Sequence, residues 1–167
     1  MGGYEHPQKG AGSLRMWKRY FGNGEIFAID IFNKYQLQES RIEIFQGSQT
    51  DGCFLEEVTR RIGELDIIID DGSHVNFDVI TSFKCLFPKL KNGGIYVVED
   101  TQTSYWPDYG GDLINKNSHS TMMGYFKSLI DGINHHEFRS ESYIPSYWDK
   151  NIKSMHFYHN LVFIYKC

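Results

Sequence analysis

Apolar positions along the chain fall into short runs parted by polar turns, and their spacing switches between a helical and a strand period. Residues 1–12 are glycine-rich and read as a loop. In SLRMWKRYF (13–21), Leu14, Trp17 and Phe21 share one helical face, with Ser13 as the expected N-cap. EIFAIDIF (25–32) and RIEIFQG (41–47) have the length and composition of strands, the second stopped at Gly47. CFLEEVTRRIG (53–63) predicts a helix ended by Gly63. DIIIDDG (66–72) carries an unbroken isoleucine run, which suits a strand buried on both faces. NFDVITSFKCLFPKL (76–90) predicts a helix that turns Val79, Phe83 and Leu86 inward and closes near Pro88. GGIYVVED (93–100) is the next buried strand, followed by a polar and aromatic loop over 101–117. STMMGYFKSLIDGI (120–133) predicts a helix, and residues 138–167 predict strands with a hairpin near His159 and Asn160. The alternation implies an α/β fold: one domain over 1–167, a mostly parallel sheet with helices on both faces and a C-terminal antiparallel hairpin.

Composition narrows the function. A net charge of -4 argues against a nucleic-acid backbone as partner but leaves small ligands open. Aromatics reach 16% and crowd the second half, as a ligand pocket or an interface would require. Cys53, Cys85 and Cys167 are odd in number and form no CxxC, which fits a reduced, cytoplasmic protein without a zinc knuckle. The opening MGGYEHPQKG lacks a signal-peptide core, and no apolar run approaches the ~20 residues of a membrane span.

The chemistry gathers at strand C-termini, where open α/β sheets bind ligands. Asp30 ends one strand, Gly47, Ser48 and Gln49 follow another, Asp70 and Asp71 end a third, and Glu99 and Asp100 a fourth. The last two strands are joined by one helix and are expected as neighbours ~4.8 Å apart. Four carboxylates so close repel one another, and a hard divalent cation such as Mg²⁺ or Mn²⁺ relieves this. His74 lies one turn beyond Asp71, within reach of base chemistry beside such an ion. Asp70 alone also suits a helix cap. Asp30 suits either a ribose acceptor or a turn residue. The remaining histidines have no such neighbours and read as structural or surface residues.

The stretches GGYEHPQKGAGSLRMWKRYF, IFAIDIFNK, RIEIFQGSQTD, DIIIDDGSH, GGIYVVEDTQTSYWPDYGG and HFYHNLVFIYK run through almost the whole chain. Together they resemble the class I S-adenosylmethionine-dependent methyltransferases. More narrowly they resemble the metal-dependent sugar O-methyltransferases of the mycinamicin and demethylmacrocin type, which methylate deoxysugar hydroxyls on macrolides. The pairing of DDGSH with VVED is the more specific part. The resemblance implies S-adenosylmethionine and Mg²⁺ as cofactors and a small-molecule glycoside as acceptor. It implies Asp71, Glu99 and Asp100 as metal ligands and His74 as general base. Asp30 would hold the cofactor's ribose, Gly47, Ser48 and Gln49 would border the adenine, and Asp70 would lie beside the cofactor. Gly2, Gly3 and Ser13 would also approach the cofactor, and Tyr105, Trp106 and Tyr109 would cover the acceptor sugar. Relatives of this type are multimeric, so a homo-oligomer is an expectation, with no membrane or nucleic-acid partner.

One feature departs from the resemblance. The family's cofactor loop follows a first strand of apolar-acidic-x-Gly-x-Gly type, whereas this chain starts inside that loop. That strand is central, between the strands of Asp30 and Asp70, so its absence leaves a gap flanked by unpaired backbone. A start lying upstream is the expectation. An inactive or binding-only remnant of the fold is the alternative, and a metal-dependent hydrolase using the same carboxylates leaves Asp30 unexplained. A nicotinamide-dependent oxidoreductase would need a GxGxxG that GGYEHPQKGAG does not supply.

Overall fold

The structure is a computed structural model that describes His6 and residues 9–167, so Gly2 and Gly3 lie outside the described residues. The chain opens with α1 (Gly12–Tyr20), β1 (Ile26–Asp30) and β2 (Ile42–Gln46). It continues through α2 (Gly52–Ile62), β3 (Leu65–Asp70), α3 (Asn76–Leu86) and β4 (Leu90–Glu99). After β4 come 3₁₀ turns at Thr101–Tyr105 and Pro107–Tyr109, then α4 (Met122–Ser128) and a further 3₁₀ segment at Asp131–Glu137. The chain ends with α5 (Tyr147–Asn151), β5 (Ile152–Tyr158) and β6 (Leu161–Lys166).

Strands β1 and β2 pair in parallel, with Asp30 opposite Gln46. Strands β3 and β4 also pair in parallel, with Asp70 opposite Val98, so the two acidic strand ends are adjacent as the pattern predicts. Strand β6 runs antiparallel between β4 and β5, giving the order β3-β4-β6-β5. The β5–β6 turn falls at His159 and Asn160, and Asn160 supplies the positive φ of 58° that a tight hairpin needs. Among the described residues the sheet is broken where the missing strand is expected: β1 pairs only with β2, β3 only with β4, and Asp30 and Asp70 end strands of separate sheets.

Most of the core lies on one face of the four-stranded sheet. Tyr96 and Val98 of β4 and Val162 and Ile164 of β6 are fully buried there against Val79 and Phe83 of α3 and Met122 and Phe126 of α4. Phe83 is the hub: its ring meets Phe87, Tyr96 and Phe126 and stacks on Trp148 of α5 at 5.0 Å. Along β6 the alternate residues Leu161, Phe163 and Tyr165 turn the other way and remain half-buried. A smaller core joins Leu14 of α1 to Ile42 and Ile44 of β2 and to Leu37. The Arg41 guanidinium ties that unit together by donating to the carbonyls of Lys18, Phe21 and Gly24 at the end of α1, where positive charge favours the helix dipole. Helix α2 packs against α3 and links the two sheets.

Three local expectations differ from the structure. Ser13 is not the N-cap of α1: Ala11 holds that place with φ 62°, and Ser13 sits exposed within the first turn. The helix expected over 120–133 stops at Ser128, whose hydroxyl donates to the Tyr125 carbonyl and competes with the backbone ladder. Strand structure within 138–167 begins only at Ile152, because Ser146 and Asp149 form a capping box that starts α5.

Candidate active site

The ends of β3 and β4 deliver their acidic residues side by side, but not to the same surroundings. The Asp70 side chain turns into the core. Tyr96 donates to its Oδ2 at 3.0 Å, Ser82 donates to the same oxygen, and Gln49 Nε2 donates to Oδ1 at 3.3 Å. Burial pushes the Asp70 carboxyl above its usual range, against the pull of those three donors. Sequence reasoning missed Ser82 and Tyr96. Their signal was a hydroxyl placed on the apolar face of a helix and another in the middle of an apolar strand.

Asp71, the next residue, is half-buried and faces His74 and Asp100. His74 Nε2 lies 3.8 Å from Asp71 Oδ1 and 3.5 Å from Asp100 Oδ2. Ligand-capable atoms of Asp71, His74 and Asp100 all lie within 4.8 Å of one another. These spacings are too long for direct hydrogen bonds and suit a small cation between the groups. The Glu99 carboxylate stands outside this trio. Its pKa is nonetheless raised, first by burial and then by the charges of Asp71 and Asp100, so it feels the same negative field. An oxygen-rich donor set with uncompensated negative charge fits Mg²⁺.

Two members of the trio hold strained backbone. His74 has φ 58° and Asp100 φ 55°, a left-handed conformation that costs a residue with a side chain roughly 1–2 kcal/mol. Such strain persists only where neighbours over-determine it. The His74 Nδ1 atom is buried without a hydrogen-bond partner among the described residues.

The other expected site residues spread along the same end of the sheets. Asp30 Oδ1 accepts from the Phe32 N–H at 2.8 Å, the contact of a turn residue. The bare Cα of Gly47 faces the Phe54 ring, and its N–H donates to the Asp30 carbonyl at 3.0 Å. The Ser48 hydroxyl shares a 2.8 Å hydrogen bond with the Thr50 hydroxyl. Gln49 joins β2 to β3: besides reaching Asp70, its Oε1 accepts from the Ser73 N–H at 2.8 Å. Ser13 is brought into no contact with these groups by any hydrogen bond of its side chain, and it lies on α1. Beyond Asp100, Tyr105 is half-buried with Lys116 over its ring, and the exposed Trp106 contacts the half-buried Tyr109 ring at 5.9 Å. Asn76, another residue missed in the sequence, pins this loop. Its buried amide donates to the carbonyls of Thr103 and Tyr109 and accepts from the Met122 N–H.

Comparison with known proteins supplies a context for this geometry. No protein-family model matches the chain. It is 48% identical over 167 residues to the mycinamicin VI 2''-O-methyltransferase of Micromonospora griseorubida and 47% identical to the demethylmacrocin O-methyltransferase of Streptomyces fradiae. The crystal structure of the MycE methyltransferase from the mycinamycin biosynthetic pathway, in complex with Mg and SAH, superposes with a TM-score of 0.94 at 49% identity over 99% of this chain. The chain has the fold of these sugar O-methyltransferases and resembles them throughout its length. It spans 42% of the length of both curated relatives and 43% of that structure.

Proposed function

We propose that this chain is the catalytic portion of a Mg²⁺-dependent O-methyltransferase that moves a methyl group from S-adenosylmethionine to a sugar hydroxyl of a glycosylated natural product or polysaccharide. The observation that carries the reading is the convergence of Asp71, His74 and Asp100 on one point at the ends of β3 and β4. Relatives of about 48% identity that are named for methyl transfer to antibiotic sugars support it, as does a similar structure solved with Mg, SAH and mycinamycin VI.

In this mechanism Asp71 and Asp100 would hold the cation, and Glu99, which feels the charges of both, would complete the acidic set. A bound Mg²⁺ supplies Lewis acidity that makes a sugar hydroxyl easier to deprotonate near neutral pH. His74 accepts that proton at Nε2, the ring nitrogen that faces the two carboxylates. Asp30 accepts hydrogen bonds from the cofactor's ribose with the oxygen not used in its turn. Gly47 and Ser48 border the adenine, and Tyr105, Trp106 and Tyr109 exclude water over the acceptor. Asp70 serves from behind: through Gln49 it fixes the 71–74 turn.

The test is transfer of labelled methyl from S-adenosylmethionine to a macrolide glycoside, with Mg²⁺ and with EDTA. Transfer that needs Mg²⁺ and disappears in Asp71→Asn is the expected result. Transfer indifferent to EDTA would sink the reading. A second reading, an inactive or binding-only remnant of the fold, is favoured by the separation of the Asp30 and Asp70 strands into two sheets. Calorimetric binding of S-adenosylmethionine without any methyl transfer would select it.

A further inference from the structure

The two strained residues of the candidate site are joined at one atom. The Thr103 hydroxyl lies 2.7 Å from the His74 carbonyl and 3.2 Å from the Asp100 carbonyl. Its single proton is donated across both, in a bifurcated bond. Thr103 is 2% exposed, and the Asp100 carbonyl accepts from its N–H as well, at 3.3 Å.

Thr103 is itself held fast. Its own carbonyl accepts from Asn76 Nδ2 at 3.0 Å and from the Trp106 N–H at 3.1 Å. Asn76 opens α3 and also accepts from the first N–H of α4, so the hydroxyl is anchored to two core helices.

A histidine that works as base or ligand is ordinarily oriented by a hydrogen bond on its other ring nitrogen. Here that nitrogen, Nδ1, has no partner among the described residues. The direction of the ring is then set by its backbone, which sits in a left-handed conformation uncommon for residues with a side chain. Asp100 also leaves β4 in left-handed backbone, and its Oδ1 accepts from Gln102 Nε2 at 3.1 Å.

We propose that Thr103 is a positioning residue. Its hydroxyl ties the β3–α3 turn to the exit of β4 and holds His74 and Asp100 in left-handed backbone, so that their side chains meet Asp71 around one point. The role of that point as a cation site rests on the function proposed above; the tie itself does not.

The test compares the 167-residue chain with Thr103→Val, which keeps the shape and removes the hydroxyl, and with Thr103→Ser, which restores it. Two readouts are taken: metal-free amide hydrogen exchange over 72–76 and 100–104, and Mn²⁺ binding followed by the paramagnetic resonance signal of the free ion. The expected result for Thr103→Val is exchange about tenfold faster in those two segments alone, and Mn²⁺ affinity lower by about tenfold, ~1.4 kcal/mol. Thr103→Ser is expected to return both to within about twofold of the parent. Unchanged exchange in Thr103→Val overturns the proposal, as does a serine variant that behaves like valine. Global unfolding of Thr103→Val also overturns it, because the hydroxyl then serves the whole fold. If the parent chain binds no Mn²⁺, the cation reading fails, and the exchange data still decide the tie.

Discussion

Asp70 and Asp71 are consecutive carboxylates at the end of one strand, and they do opposite things. Asp70 is buried beneath Ser82, Tyr96 and Gln49 and serves the core. Asp71 is half-buried and faces the imidazole of His74. A pleated strand sends successive side chains to opposite sides, so an acidic pair at its end is divided by geometry before chemistry enters. The role of each follows from what waits on its side: hydroxyls in the core, or more acid and a histidine at the surface.

That contrast can be broken in several ways. Replacing Asp70 with Ala removes the acceptor shared by Ser82, Tyr96 and Gln49, leaves them only their weaker contacts around Ser82, and opens a small void. The expected cost is about 2–4 kcal/mol in urea denaturation; a loss below ~0.5 kcal/mol would show that the network does not support the core. Asp71→Asn is expected to leave stability within ~0.5 kcal/mol while weakening Mn²⁺ binding at least tenfold, about 1.4 kcal/mol. Should Asp71→Asn instead unfold the chain, the division between the two carboxylates would fall. Tyr96→Phe and Ser82→Ala each remove one donor to Asp70 and should cost about 1 kcal/mol, with the double variant departing from the sum because both share one oxygen.

The smallest effect concerns pH, with a third carboxylate as the reference. Burial works against the charged form of Asp149, but donors from Tyr143 and Ser146 outweigh it and hold its pKa below 3.8. The folded state therefore releases this proton more readily than the unfolded state. The stability it adds is present above the unfolded value and lost as pH falls through the lower folded one. Asp70 is raised instead, so its contribution has the opposite sign: it is present below the unfolded value and lost as pH rises through the folded one. Asp149→Asn should lower the melting temperature at neutral pH by a few degrees, a difference that closes in strong acid. Asp70→Asn should flatten the stability curve just above the ordinary carboxylate range.

Much of this was legible in the sequence. Apolar runs ending in acid marked β1, β3 and β4, and the single intervening helix made β3 and β4 neighbours, which put Asp71, His74 and Asp100 within reach of one another. What was not legible depended on partners distant along the chain. The hydrogen bonds that Ser82 and Tyr96 make to Asp70 could not be read from the sequence, because those residues lie 12 and 26 positions away. Thr103 falls in the 101–117 loop and Asn76 at the start of a predicted helix, and a side chain that bonds backbone carbonyls leaves no mark on hydrophobic periodicity. The break after Ser128, whose hydroxyl donates to the Tyr125 carbonyl, likewise leaves no mark on the apolar pattern.

The split sheet bears on handling the protein. Strands β1 and β3 are rich in isoleucine, and among the described residues each is paired along one edge only. Ile67 of β3 is 39% exposed and no residue of β1 is fully buried. Open apolar edges are templates for strands of other molecules, and neither carries a proline, although the β3–β4 register shifts between Leu65 and Ile67. Concentrated samples of this chain are therefore expected to lose monomer through these two edges before the core melts, which light scattering below the melting temperature would reveal.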